Sequence, residues 1–255
     1  MKLEGKVVII TGGSSGLGEA CIRFFHSRKC KVIIADLNIV LGQQLVSELS
    51  SDIHFIETDV SDEESIKIMI SKTLALFNSI HVVINSAGVA WAEFTASPKA
   101  VHSSELFSNV FKINVLGTFN VCKYAAQQMM KQPFVDDTKE KGVLINIASI
   151  AGFEGQKGNV AYAASKASVI AMTLPMARDL GKYGIRVMTL APGIIDTPMS
   201  QLIIPKVRKL LNEQTCLGRF GKPKELAGLC QGIIENEYVS GDVWRIDGGM
   251  RLSHF

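Results

Sequence analysis

No two of the five cysteines in this 255-residue chain form a Cys-x-x-Cys pair. That absence excludes a zinc knuckle and a dithiol redox motif, and free thiols in a reducing compartment are the expected state. The five histidines lack ligand spacing as well, so no metal site is expected. The two signs of charge nearly balance, 27 basic residues against 24 acidic ones. A net +3 gives no basic stripe that would attract nucleic acid. Charged or polar residues interrupt every apolar run well short of the ~18 residues of a membrane span, so no membrane contact is expected. Met1-Lys2-Leu3-Glu4-Gly5-Lys6 leads straight into an apolar segment, with no visible cleavable presequence. No linker or repeat interrupts the chain, and residues 1–255 are expected to form a single domain.

What the chain has in quantity is apolar sequence, 47% of it, in short runs that alternate with amphipathic stretches. Strands are expected at 7–10, 31–35, 53–57, 82–85, 143–148, 186–190 and 242–246. Helices are expected from the glycine loop to about Ser27, and at 40–49, 61–77, 111–131, 160–180 and 224–236. Runs with little polar alternation are buried on both faces, as in a parallel sheet. Strand–helix alternation then predicts an α/β fold: a Rossmann-type, doubly wound parallel sheet in a three-layer αβα sandwich. Three irregular stretches remain, at 89–104, 132–141 and 194–221. The middle one is polar and reads as a solvated loop. The other two follow strand C-termini, where such folds bind ligands.

Chemistry concentrates in two places. Thr11-Gly12-Gly13-Ser14-Ser15-Gly16-Leu17-Gly18 bends between the first strand and helix, and its missing side chains let backbone N–H groups approach a pyrophosphate. Asp36 closes the second strand at about the ~20-residue distance of a carboxylate that holds an adenosine ribose; an ordinary helix cap is its other reading. Tyr162 and Lys166 stand one helical turn apart on one face. An ammonium beside a phenol favours the phenolate and lowers its pKa toward the range of acid–base catalysis. Ser149 follows an apolar strand and would sit at the sheet's C-terminal edge. Pro175 falls inside the Tyr162/Lys166 helix and should bend it, more than two turns past Lys166.

These residues, with Asn85-Ser86-Ala87-Gly88, Asn114 and Pro192-Gly193 followed by Thr197, resemble the short-chain dehydrogenase/reductase family over essentially the whole chain. Ser86 stands where that family usually has a second Asn. Less generic segments resemble a subgroup, the type-2 3-hydroxyacyl-CoA dehydrogenases, also called 17β-hydroxysteroid dehydrogenases type 10. They are Phe153-Glu154-Gly155-Gln156, Met172-Thr173-Leu174-Pro175, Ala177-Arg178-Asp179-Leu180, Gly184-Ile185-Arg186-Val187-Met188-Thr189 and Ile233-Ile234-Glu235-Asn236.

The resemblance implies an NAD(H)-dependent interconversion of a secondary alcohol and a ketone, with 3-hydroxyacyl-CoA as the foremost substrate. It also implies a homotetramer, and a mitochondrial location beside the cytoplasmic one. Hydroxysteroid or other alcohol oxidation, 3-oxoacyl-carrier-protein reduction, and a non-catalytic NAD-binding scaffold stay open, as does a part in RNA processing. Tyr162 is implied as acid/base, Lys166 as its partner on the nicotinamide ribose, Ser149 as the holder of the substrate oxygen, and Gln156 as a substrate contact. Asn114 either orders a water toward Lys166 or is a buried structural amide.

The implied cofactor contacts are Gly12, Ser15, Gly16, Leu17, Gly18, Asp36, Asp59, Val60, Asn85, Ser86, Ala87, Gly88, Tyr162, Lys166, Pro192, Gly193, Ile195 and Thr197. Asp59 reads equally as a helix cap. No cation near Asp36 would welcome a 2′-phosphate, which favours NAD over NADP. In 194–221, Met199, Leu202, Ile203, Ile204 and Leu210 could close as a lid over an acyl chain. Lys206, Arg208 and Lys209 would meet the phosphates of coenzyme A, or form a plain solvated basic face. Val115, Phe119, Val121, Met129, Val169, Met172 and Met176 give two helices more apolar surface than one core-facing stripe needs.

Overall fold

The computed structural model describes residues 1–49, 51–135, 137–201 and 203–251, apart from the Met199 side chain. Strands β1 (Val7–Thr11), β2 (Lys31–Asp36), β3 (Ile53–Glu57), β4 (Val82–Asn85), β5 (Gly142–Ile147), β6 (Ile185–Pro192) and β7 (Val243–Ile246) form a seven-stranded sheet. Their order is β3-β2-β1-β4-β5-β6-β7, and every pairing is parallel. Winding reverses between β1 and β4, which opens a crevice at their C-terminal ends.

The apolar runs bury both faces because successive side chains alternate across the sheet. Val8, Ile10, Val32, Ile34, Val143 and Ile145 pack on one face with Cys21, Ile22 and Phe25 of α1 (Gly16–His26) and Leu226, Cys230 and Ile233 of α9 (Pro223–Glu235). Leu45 of α2 (Ile39–Leu49) joins the same layer. Ile9, Ile33, Val83 and Leu144 face the other way. They meet Ile66 and Met69 of α3 (Glu63–Phe77), Val121 and Met129 of α5 (Thr118–Lys131), and Met176 of α6 (Val160–Gly181). The fold is the expected three-layer sandwich.

Differences from the sequence reading lie where local pattern is weakest. The helix expected from 111 begins earlier. α4 (Ser104–Phe111) is capped by Ser103, whose Oγ accepts from Leu106 N at 3.2 Å. A π-helical turn, Lys112–Gly117, then joins α4 to α5. Such turns widen a helix by one residue and re-aim its side chains; this one carries Asn114. The 132–141 stretch is more than a solvated loop. Glu140 is buried and accepts from Arg186 Nε at 2.6 Å, while Arg186 also donates to the carbonyls of Ile233, Ile234 and Val239. The 194–221 stretch contains α7 (Pro198–Gln201) and α8 (Pro205–Glu213). Of the expected lid residues, Leu202 and the Met199 side chain lie outside the described residues.

α6 runs through Pro175 without interruption. At 22 residues it is long and apolar enough, by length and composition, to cross a membrane, contrary to the reading of the sequence runs. In the fold it packs along β6 and carries buried Lys166 at its N-terminal end. Part of its apolar surface faces outward, with Leu174 45% exposed.

Candidate active site

A cleft of about 690 Å³ lies over the C-terminal ends of the strands. One end is made by the glycine loop. Gly12 and Gly16 have φ of +64° and +55°, which glycine adopts without steric cost. A Cβ on Gly12 would lie 2.8 Å from the Ala87 backbone, and one on Gly16 would stand 3.9 Å from the Thr197 side chain. The loop and the 195–197 segment thus face each other across a narrow gap. Gly18 does not line the cleft. A Cβ there would come within 2.0 Å of the Gly12 carbonyl, so its role is close packing of α1 under the loop. Ser15 and Leu17 line the gap beside Gly16.

Asp36, at the end of β2, accepts from Ser14 N and Asn38 N, each at 2.9 Å. These two bonds hold the carboxylate at the cleft wall. Asp59 lines the same end with Val60 and accepts from Ser61 N at 2.8 Å; the N-cap of α3 is Asp62, which accepts from Glu64 N. Thr58, Leu37, Val89, Ala90, Ile113 and Ser200 also line the cleft, although sequence motifs point to none of them as a contact, and so does Ile203 of the expected lid.

At the other end stand Ser149, Tyr162 and Lys166, with Ser86, Ala87, Gly88, Pro192, Gly193 and Ile195 around them. Ser149 follows β5 and caps a short turn, Ile150–Gly152, by accepting from Ala151 N at 3.1 Å. The Tyr162 phenol lies close enough for this hydroxyl to act on its acidity. Lys166 is 6% exposed, and its Nζ donates to Ile147 O at 2.9 Å. The ammonium lies 5.7 Å from the Tyr162 ring centroid.

Burial sets both acidities. Desolvation raises the Tyr162 phenol above its ordinary value, and the Ser149 hydroxyl opposes it. Desolvation brings Lys166 down to about 8. The expectation of a lowered phenol is therefore not met in this state. Lys166 is turned to a backbone carbonyl, and its own charge is disfavoured by the burial that affects Tyr162.

Besides Gly18, three expected site residues lie away from the cleft lining. Asn85 is buried in the sheet, and its Nδ2 donates to Asn146 Oδ1 at 2.9 Å. Asn114 sits behind Gly88. Its Oδ1 accepts from Val89 N at 2.8 Å, and its Nδ2 donates to Val89 O at 2.9 Å and Ser165 Oγ at 3.0 Å. Its carboxamide therefore clamps the strand-end segment against α6, and its carbonyl accepts from Thr118 Oγ1 at 2.8 Å. Gln156 belongs to the loop before α6, where its carbonyl accepts from Asn159 N at 3.1 Å.

α8 has no buried residue, and its Val207 and Leu210 are exposed, as is the preceding Ile204. Arg208 is already engaged. Its guanidinium donates to Asp196 Oδ1 at 2.9 Å and lies 4.5 Å over the Phe220 ring. Lys206 and Lys209 are exposed. Among the described residues no cluster of His, Cys, Asp and Glu could hold a metal ion.

Comparison with known proteins agrees with this fold. The family profile described as short chain dehydrogenase matches residues 6–207. The 3-hydroxyacyl-CoA dehydrogenase type-2 of Bos taurus is 39% identical over 254 residues, covering 98% of this chain and 97% of the relative. A 3-oxoacyl-(acyl-carrier-protein) reductase of Thermotoga maritima is 35% identical, covering 98% and 99%. The crystal structure of 3-hydroxyacyl-CoA dehydrogenase type-2 from Mycobacterium avium superposes with a TM-score of 0.93 at 33% identity, covering 98% of this chain and 97% of that one.

Proposed function

This chain belongs to the short-chain dehydrogenase family, and from that premise we propose that it interconverts 3-hydroxyacyl-CoA and 3-oxoacyl-CoA with NAD(H). The observation that carries the reading is the meeting of Ser149, Tyr162 and Lys166 at one end of a cleft whose other end presents Asp36. Near-full-length similarity to 3-hydroxyacyl-CoA dehydrogenases selects the substrate class.

The residues fit a nicotinamide dinucleotide. Gly12 lets the loop lie against the Ala87 backbone, Gly16 leaves open the gap toward Thr197, and the fixed Asp36 carboxylate keeps lone pairs for a ribose diol. Bound there, the dinucleotide supplies the site that gives or accepts hydride. Ser149 Oγ holds the substrate oxygen. Tyr162 takes the hydroxyl proton in oxidation and returns it in reduction. Lys166 lies one turn below and steadies the charge that Tyr162 carries when it gives up its proton. Asn114 keeps the Val89 backbone and Ser165 in register with this set.

The test is a matrix of acetoacetyl-CoA, steroid, polyol and carrier-protein thioester substrates against NADH and NADPH. Acetoacetyl-CoA with NADH should give the highest kcat/KM. Asp36 should repel a 2′-phosphate, so NADPH should be at least about tenfold poorer. Comparable kcat/KM for the two dinucleotides would overturn the cofactor choice. NADH binding without turnover of any of these substrates would favour a scaffold.

Assembly follows from the outer helix faces. Phe107, Phe111, Leu116, Phe119 and Met172 line an apolar depression across α4, the π turn, α5 and α6. Leu116 is 49% exposed and Phe119 41%. Pairing of these helices with a second copy would remove that surface from water and form one interface of a homotetramer. Light scattering at micromolar concentration should give the mass of four chains, and a monomeric mass would rule the tetramer out.

A further inference from the structure

A charged cluster beyond Ser149 takes no part in the proton-transfer set. Arg245 of β7 places Nη1 2.7 Å from Glu154 Oε1 and Nε 2.6 Å from Asp247 Oδ2. Its Nη2 donates to the Met250 carbonyl at 2.9 Å. Arg251 adds a second guanidinium, 3.3 Å from Asp247 and 3.7 Å from Glu154. The side chains of Arg245, Glu154 and Asp247 are only 22%, 25% and 8% exposed. Partly dry, charge-assisted bonds of this kind hold geometry better than surface pairs do.

Two short trails lead from the cluster to the cleft. On one side, Glu154 N donates to Ile150 O at 2.9 Å and Gly152 N to Ser149 O at 3.0 Å. Both bonds lie in the turn that the Ser149 hydroxyl caps. On the other side, Gly193 N donates to Ile246 O at 3.0 Å, and a Cβ on Gly193 would come within 2.8 Å of Asp247 Cβ. Gly193 lines the cleft at the end of β6, the strand next to the one that Ser149 follows. Arg245 therefore bridges two segments that are remote in sequence and adjoin each other in the lining of the site.

We infer that Arg245 is a positioning residue: with Glu154 and Asp247 it sets the separation between the Ser149 hydroxyl and the Gly193 wall, and so the reach over which hydride is transferred. An ångström of misplacement at such a site can cost about 10²-fold in rate. The kinetic part of this inference rests on the dehydrogenase reading above; the structural part does not.

Arg245→Met, Arg245→Lys, Glu154→Gln and the Arg245→Met/Glu154→Gln pair test it in the full-length protein. Arg245→Met and Glu154→Gln should each lower kcat about tenfold and leave the Kd for NADH within about twofold. The primary isotope effect on kcat with 4-deuterated NADH should rise, because hydride transfer becomes slower than release. Arg245→Lys should recover part of kcat through the Glu154 contact alone. The double variant should be no worse than Arg245→Met, since one clamp is lost only once.

A merely structural role would reduce the fraction of active sites without moving the isotope effect, and that result, or additive losses, would overturn the inference. Amide hydrogen exchange at Gly152 and Glu154 supplies a readout that needs no turnover. Both amides should exchange faster in Arg245→Met, and unchanged exchange there would equally overturn it. Faster exchange in a protein whose wild type reduces no substrate would count against the dehydrogenase reading and leave the clamp standing.

Discussion

Tyr162→Phe should lower kcat for acetoacetyl-CoA reduction by about 10²–10⁴-fold, the usual range for removing a positioned acid/base. The substitution deletes one oxygen and keeps the ring, so α6 retains its packing. What it removes is the only phenol among the described residues that line the cleft, the group that lies beside Ser149 and one turn from Lys166. NADH affinity should change little, because the glycine loop, Asp36 and the 195–197 segment are carried by other elements. Steady-state kinetics and an NADH fluorescence titration on the same preparation separate the two effects. Robust turnover by Tyr162→Phe would sink the acid/base assignment. Equal loss of turnover and of NADH binding would point to a collapsed site.

The fold was legible because its strands are short apolar runs buried on both faces, a signal local to each segment. Val8 and Ile9 are both fully buried, yet they belong to cores on opposite faces of the sheet. That is why the run shows no alternation. The approximate place of Asp36, Ser149, Tyr162 and Lys166 was legible for a related reason. Each sits at a strand end or one helical turn from another, so spacing alone brings them to one cleft. Contacts that depend on distant segments were not legible. Arg186 and Glu140 form a buried pair from positions that read separately as strand and solvated loop. Arg245 reaches Glu154 across 91 residues. The π turn at Lys112–Gly117 leaves no mark in apolar periodicity, because its extra residue shifts the helix face without changing composition. Asn114 was singled out only through the family resemblance. Its hold on both polar groups of Val89 appears only once that turn aims it.

Lys166→Met should make the protein more stable and leave it inactive. Burial brings the Lys166 ammonium down to about 8 from an ordinary 10.5. Between those two values the unfolded chain binds more protons than the folded one, so stability rises with pH across that window. Below about 8 the full cost of holding a buried charge is present, and the interval corresponds to about 3 kcal/mol. Methionine fills a similar volume without charge. It leaves the Ile147 carbonyl without its 2.9 Å partner, which costs about 1 kcal/mol. The net gain at pH 7 is about 2 kcal/mol, a rise in Tm of about 4–8 °C for a chain of this size. The wild-type and variant Tm values should converge as pH rises from 8 toward 10.5, because the wild-type lysine then folds neutral. Turnover should fall with the loss of the cation beside Tyr162, so stability and activity move in opposite directions at one residue. Thermal unfolding of both proteins at several pH values, with acetoacetyl-CoA reduction assayed alongside, checks this directly. A Lys166→Met protein that is less stable at pH 7, or a Tm difference that does not shrink with pH, would show that the buried lysine is held by more than the single carbonyl bond and is not a source of strain.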